Sequence, residues 1–381
     1  MKYFFLISII AFNLVANDID VLSSTKQKII QLEQKQIAEK EQVNHYDWLN
    51  DITAKASVSK DEDDDTTDNY SLSLSQDIFK FGGITSQIEY AQELKKMQLI
   101  DLSIDTKDEL YALYSTLIDI QLNSISLKQN SLNIDNSVID IQHKTSQYKQ
   151  GLTGISDLND AIMTKNDYQD SSKKLKLSKL ININTVKKYT IKNYKQITIP
   201  TAKIMSKKLF IQNALSIKSA TLDSKVNDTL YKIKKSDYLP AVSVNADIGY
   251  SDNEDYHDYG VALTIPLSYN SSNDIEQTRL EYLISKQELA NVKRDAGLTY
   301  DSAILNIQNY KERITLANED IKLYGQLLQT TQEEYEAGYK TIDDIDTLQN
   351  SMNIRKLDIQ TYQLNIQKQL LNLYFKMSQG L

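Results

Sequence analysis

The chain has 381 residues, 25% of them charged and 8% aromatic, with a formal net charge of −8. That balance argues against a nucleic-acid partner, and the absence of cysteine removes disulfides, thiolate metal sites and a lipidated N-terminal cysteine. His45, His143 and His257 lie far apart, and no phosphate-binding loop, dinucleotide fingerprint, HExxH or GxSxG motif occurs, so the sequence points to no enzyme, cofactor or metal site.

The N-terminus "MKYFFLISIIAFNLVAND" places Lys2 before an apolar run from Tyr3 to Val15, followed by Ala16. This is the pattern of a secretory signal peptide, residues 1–16, and the run is short for a membrane span. The lysines read as the solvated faces of helices. With three prolines and ten glycines in the whole chain, the elements that follow must be long.

The first strand signal covers about 50–78. Ile52, Ala54, Ala56 and Val58 alternate with polar residues, as do Tyr70, Leu72 and Leu74, and the acidic "DEDDDTTD" (Asp61–Asp68) links the two runs. Period two predicts a hairpin with one apolar face. A helical ladder follows at seven-residue steps: Met97, Ile104, Tyr111, Ile118, Ile125, Leu132 and Ile139. It predicts a coiled-coil helix over about 86–148, on the order of 90 Å long.

The same order then returns. Val242, Val244, Ala246, Ile248 and Tyr250 alternate in one strand, and Tyr259, Val261, Leu263, Ile265 and Leu267 in another. "DNEDYHD" (Asp252–Asp258) links them, which gives a hairpin over about 241–268. Ala296, Ala303, Tyr310, Ala317 and Tyr324, interleaved with Tyr300, Ile307, Ile314, Ile321 and Leu328, predict a second long helix over about 274–335. Strands of nine to eleven residues suit a tilted bilayer crossing, yet two hairpins alone cannot close a barrel and would need partner chains.

Each long helix ends in a Tyr-x-x-Gly element: "YKQGLTGISDL" from Tyr148 and "YEAGYKTIDDI" from Tyr335. Gly151 and Gly338 fit a helix-terminating position with positive φ. Thr153, Ser156 and Thr341 are placed to satisfy backbone donors where a return helix begins, and Asp157, Asp343 and Asp344 fall in its first turn. The elements are therefore tips of helical hairpins, near 148–157 and 335–344. The chain is read as two structural repeats, 17–190 and 213–378, joined by a connection at 191–212.

The order, duplication and spacing of these motifs, with "IKKSDYLPAVSVNADIGYS" and "LSLSQDIFKFGG", resemble the TolC-like outer-membrane efflux proteins over roughly residues 25–378. The resemblance implies a mainly α fold with a β part, in which long helical hairpins form a periplasmic tunnel. Four strands per subunit would enter a shared twelve-stranded barrel of a homotrimer set in outer-membrane lipid. "VKKYTIKNYKQITIPTAKI" (Val186–Ile204) would form an outer belt near the tunnel's equator. The implied function is a passive exit duct of a tripartite efflux or type I secretion system, working with a periplasmic adaptor and an inner-membrane pump. In the family the tips close the entrance and meet the adaptor. At the matching positions Ser156, Asp157, Tyr335, Lys340 and Asp344 would form the periplasmic gate, and Gly151, Leu152, Gly338 and Tyr339 the adaptor-docking surface. A second acidic ring is common three residues beyond Asp344, where this chain has Thr347; Asp343 or Asp346 would have to compensate. The competing reading is a structural or binding protein, either a periplasmic adaptor or a trimeric coiled-coil adhesin. An adaptor normally has one helical hairpin and glycine-rich β domains, and an adhesin carries its barrel strands at the C-terminus rather than internally.

Overall fold

A computed structural model of the chain describes residues 19–60, 66–251 and 254–378. The signal peptide and parts of both acidic hairpin links lie outside the described residues. In chain order the elements are α1 (Ser24–Tyr46), β1 (Thr53–Lys60), β2 (Thr66–Phe79), α2 (Gly83–Lys149) and α3 (Ile155–Val186). A 3₁₀ turn at Tyr194–Gln196 precedes α4 (Lys207–Asn213), α5 (Leu215–Ser236), β3 (Ala241–Ser251), β4 (Glu254–Thr264), α6 (Ser271–Glu336) and α7 (Ile342–Phe375). The two coiled-coil ladders thus become helices of 67 and 66 residues, α2 and α6.

The chain divides into two compact units. One comprises Ile29–Ile104 and Ala214–Ala296, and the other Met1–Lys28, Asp105–Asn213 and Gly297–Leu381. Each unit takes segments from both sequence repeats. The strands belong to the first of these units and both hairpin tips to the second.

The strands form one antiparallel sheet in the order β1-β2-β3-β4. Tyr70 lies opposite Tyr250 and Leu72 opposite Ile248, so the alternation seen in sequence assembles into two chemically distinct faces. Ala56, Tyr70, Leu72, Val244, Ile248, Val261 and Leu263 share one face, and its larger members are solvent-exposed in the single chain. The other face is polar. There Ser73 Oγ donates to Asp247 at 2.8 Å and Ser75 Oγ donates to Asn245 at 2.6 Å. Tyr256 lies across Gly249, where a Cβ would meet the phenol at 2.6 Å, and its hydroxyl donates to Asp247 at 3.1 Å. Glycine at 249 is what admits the ring.

Two boundaries correct the sequence reading. The second hairpin link is far shorter than Asp252–Asp258, since Glu254–Asp258 already pair in β4. That strand also stops at Thr264 rather than Leu267: Pro266 has no N–H to give the ladder, and Thr264 already faces Ala241, the first residue of β3 after Pro240.

In the unit that holds the tips, the core is aromatic and aliphatic. Tyr114 stacks on Phe375 with centroids 5.7 Å apart, among the buried Leu110, Leu113, Leu371 and Leu373. Burying side chains of this size contributes about 1.5–3 kcal/mol each. The predicted rungs Ile118, Ile125, Ala303, Ile307 and Ala317 are all buried.

The hairpin tips as the candidate functional site

The two tips are built by the same turn. In the first, Gly151 N–H donates to Tyr148 O at 3.0 Å and Leu152 N–H to Gln147 O at 2.9 Å. In the second, Gly338 N–H donates to Tyr335 O at 2.9 Å and Tyr339 N–H to Glu334 O at 2.8 Å. This pair of bonds defines a Schellman motif, which satisfies carbonyls the helix end would otherwise leave open. The motif needs a left-handed residue, and Gly151 has φ 72° and Gly338 φ 82°. A Cβ built on either glycine meets nothing within 4 Å, so backbone conformation and not crowding selects glycine. The tyrosine of each Tyr-x-x-Gly supplies the carbonyl to which the glycine N–H donates. Just past each glycine an apolar residue stands in solvent: Leu152 is 73% exposed and Tyr339 83%.

The helix starts differ. α7 opens with a reciprocal capping box, in which Thr341 N–H and its hydroxyl both donate to Asp344 Oδ2 at 2.9 Å. The backbone N–H of Thr341, then its hydroxyl, hold the Asp344 carboxyl below the ordinary carboxylate range, helped by Lys340 and His143. α3 has no such box. Its N-cap is Gly154, in extended backbone and without a side-chain bond, so neither Thr153 nor Ser156 caps the helix as the sequence suggested. The Thr153 hydroxyl instead donates to Asp157, and this bond, with a second from Gly154 N–H, lowers the Asp157 pKa.

One set of contacts was missed by sequence reasoning. α2 and α7 run antiparallel and are tied by polar rungs: Lys368 to Asp119 at 2.7 Å, Gln129 to Asp358 at 2.8 Å, Asn350 to Asn136 at 2.8 Å, and His143 to Asp343 at 3.7 Å. The last rung borders a cleft of about 390 Å³ lined by Asp140, His143, Lys340, Asp343, Asp344 and Thr347, among others. The signal was present in the sequence, since Gln129, Asn136 and His143 stand at seven-residue steps, as do Asp343 and Asn350. Within one protomer no hydrogen bond or ion pair among the described residues joins Tyr335 or Lys340 to Ser156 or Asp157. All four are exposed.

Residues 208–377 match the model of a protein family described as outer membrane efflux protein. That match takes in α4 to α7, with β3 and β4 between them. A sequence search of curated proteins finds no match. The fold is shared with VceC, an outer membrane protein from Vibrio cholerae (TM-score 0.74, 14% identity), over 97% of this chain and 96% of that one. It is also shared with a membrane protein from Pseudomonas aeruginosa (0.75, 11%) over 96% and 90%. The CmeC outer membrane channel of Campylobacter jejuni (0.70, 12%) follows over 93% and 84%.

The family match and the shared fold together support a non-enzymatic exit duct of the outer membrane with its helices in the periplasm. Channels of this family are homotrimers that work with a periplasmic adaptor and an inner-membrane pump. Trimerisation accounts for the sheet. β1 and β4 each have one free edge, and three four-stranded sheets joined edge to edge remove all six. The exposed apolar face then meets lipid. No helix among the described residues is long and apolar enough to cross a membrane. Among the described residues no group of three or more His, Asp or Glu is placed to hold a metal ion.

Proposed function

We propose that the two tips form the periplasmic entrance of this duct and divide its work between closing and docking. Ser156, Asp157, Tyr335, Lys340 and Asp344 form the gate; Gly151, Leu152, Gly338 and Tyr339 receive the adaptor. The observation that carries this reading is the duplicated Schellman turn, which holds Leu152 and Tyr339 out in solvent beside glycines with open space above them. Two matching turns that each hold an exposed apolar side chain offer a partner the same contact at both tips. The gate bonds of Tyr335 and Lys340 run between hairpins of the assembled trimer, in keeping with their exposure in one protomer. Asp344 has a second role, since its Oδ2 closes the cap of α7; Oδ1 makes no hydrogen bond among the described residues and is the oxygen left to face the pore.

Single-channel recording tests the gate. The double variant Tyr335→Phe, Lys340→Ser is expected to raise conductance several-fold with the trimer intact, and unchanged conductance would overturn the assignment. Asparagine tests docking, because it accepts left-handed backbone but carries bulk. Gly151→Asn and Gly338→Asn are expected to keep the trimer and abolish export. Export that survives both changes would exclude docking at these turns.

A further inference from the structure

Charge is not spread evenly along this chain. Residues 171–222 contain twelve lysines and no Asp or Glu, so the remaining residues hold 31 basic and 51 acidic side chains. The lysines are therefore not the dispersed solvated faces that the sequence reading supposed. Much of this excess sits in the connection between α3 and α4. Lys187, Lys188, Lys192, Lys195, Lys203 and Lys208 are exposed there, and none pairs with a carboxylate among the described residues. Lys207, at the start of α4, is neutralised by Asp301 at 2.6 Å, as Lys174 in α3 is by Asp170.

The connection is built rather than loose. The buried Thr190 accepts from Lys192 N–H at 3.1 Å, and Asn193 accepts from Lys195 N–H at 3.1 Å to open the 3₁₀ turn. Tyr189 O accepts from Ser23 N–H at 2.8 Å, and Met205 O accepts from the Tyr300 hydroxyl at 2.6 Å. Within the connection lies a cleft of about 540 Å³ bordered by Lys187 and Lys192. Ile183, Val186 and Tyr194 form its floor, Lys187 and Lys192 its rim, and Ile191 stands beside it 85% exposed.

We infer that this belt binds the peptidoglycan mesh of the periplasm. A surface of unpaired lysines around an apolar floor fits a polymer that alternates carboxylates with methyl groups and sugar rings, as cell-wall strands and their peptide stems do. The phosphates of lipopolysaccharide lie in the outer leaflet, across the bilayer from a periplasmic helical segment. The duct must cross the mesh to reach its pump, and a cationic collar on its outer side anchors it there.

Co-sedimentation of the detergent-purified trimer with isolated sacculi tests this. The wild type is expected to sediment with sacculi and to lose about tenfold in binding from 50 to 500 mM salt, as screened surface charge requires. Replacing Lys187, Lys188, Lys192 and Lys195 with Gln is expected to reduce binding at least about tenfold, and the four Lys→Arg changes to keep it. Sacculi with amidated carboxylates are expected to bind poorly. No sedimentation, full binding by the Gln variant, or indifference to amidation would each overturn the inference. Conductance of the Gln variant is expected to be unchanged. A gate that ignores Tyr335→Phe, Lys340→Ser would sink the entrance reading and leave this one standing.

Discussion

The two tips share one way of stopping a helix and differ in how they start the next. Gly151 and Gly338 make the same two-bond turn with φ values ten degrees apart. Thr341 and Asp344 then lock α7, whereas α3 begins at Gly154 with no side-chain cap. Near the tips the two hairpins meet through Asp343 and His143. The stop is a backbone requirement that tolerates almost no other residue, so duplication preserves it. The start is a side-chain device worth about 1 kcal/mol, small enough to diverge.

The largest effect that probes this comparison comes from valine at either glycine. Left-handed backbone is costly for β-branched residues, so Gly151→Val and Gly338→Val are each expected to destabilise their tip by about 1–2 kcal/mol or more. Hydrogen exchange of the tip amides measures it. A tip that tolerates valine while the other does not would break the equivalence of the turns. Next, Thr341→Ala is expected to cost about 1 kcal/mol at the second tip. Ser156→Ala is expected to stay within ~0.5 kcal/mol at the first. The same exchange measurement compares them, and equal losses would mean that the starts do not differ.

Acid sharpens the contrast further. The carboxyls of Asp344 and Asp157 are both held below the ordinary range. A depressed carboxyl contributes stability above its unfolded pKa of about 4 and loses it as pH falls through the lower folded value. Amide protection at both tips is therefore expected to stay flat from pH 8 to 5 and to fall only in stronger acid. The His143–Asp343 rung joins α2 to α7, and His143→Gln is expected to cost no more than about 0.2–1 kcal/mol, as for an exposed pair. The smallest effect is a gain: Gly154→Ser gives α3 a cap it lacks and is expected to add a few tenths of a kcal/mol. A Cβ there meets only Ser156 N at 4.0 Å.

The fold was legible because its signals are long and repeated. Ladders such as Met97 to Ile139 run without proline, and alternation at Tyr70–Leu74 and Val242–Tyr250 left no other period to choose. The strand ends were less legible. Pro266 marks the true stop of β4, but the apolar Ile265 and Leu267 continue the alternation past it. The first helix start was misread because Thr153 and Ser156 are both good capping residues, and the bond Thr153 makes to Asp157 depends on the backbone path through Gly154. The rungs between α2 and α7 were hidden because polar pairing between distant helices needs a register. Register is set by packing of the apolar rungs and not by the polar residues themselves.

The two open sheet edges have a genetic consequence. A chain finishes its barrel only with the strands of two others, so a subunit with a ruined β1 or β4 is built into the same ring as sound ones. Three copies drawn from equal pools of sound and edge-defective chains leave roughly one ring in eight free of the defect. An edge-strand allele is therefore expected to be dominant over the wild type, and its dominance to grow with its expression. A null allele, which contributes no chain to the ring, is expected to be recessive.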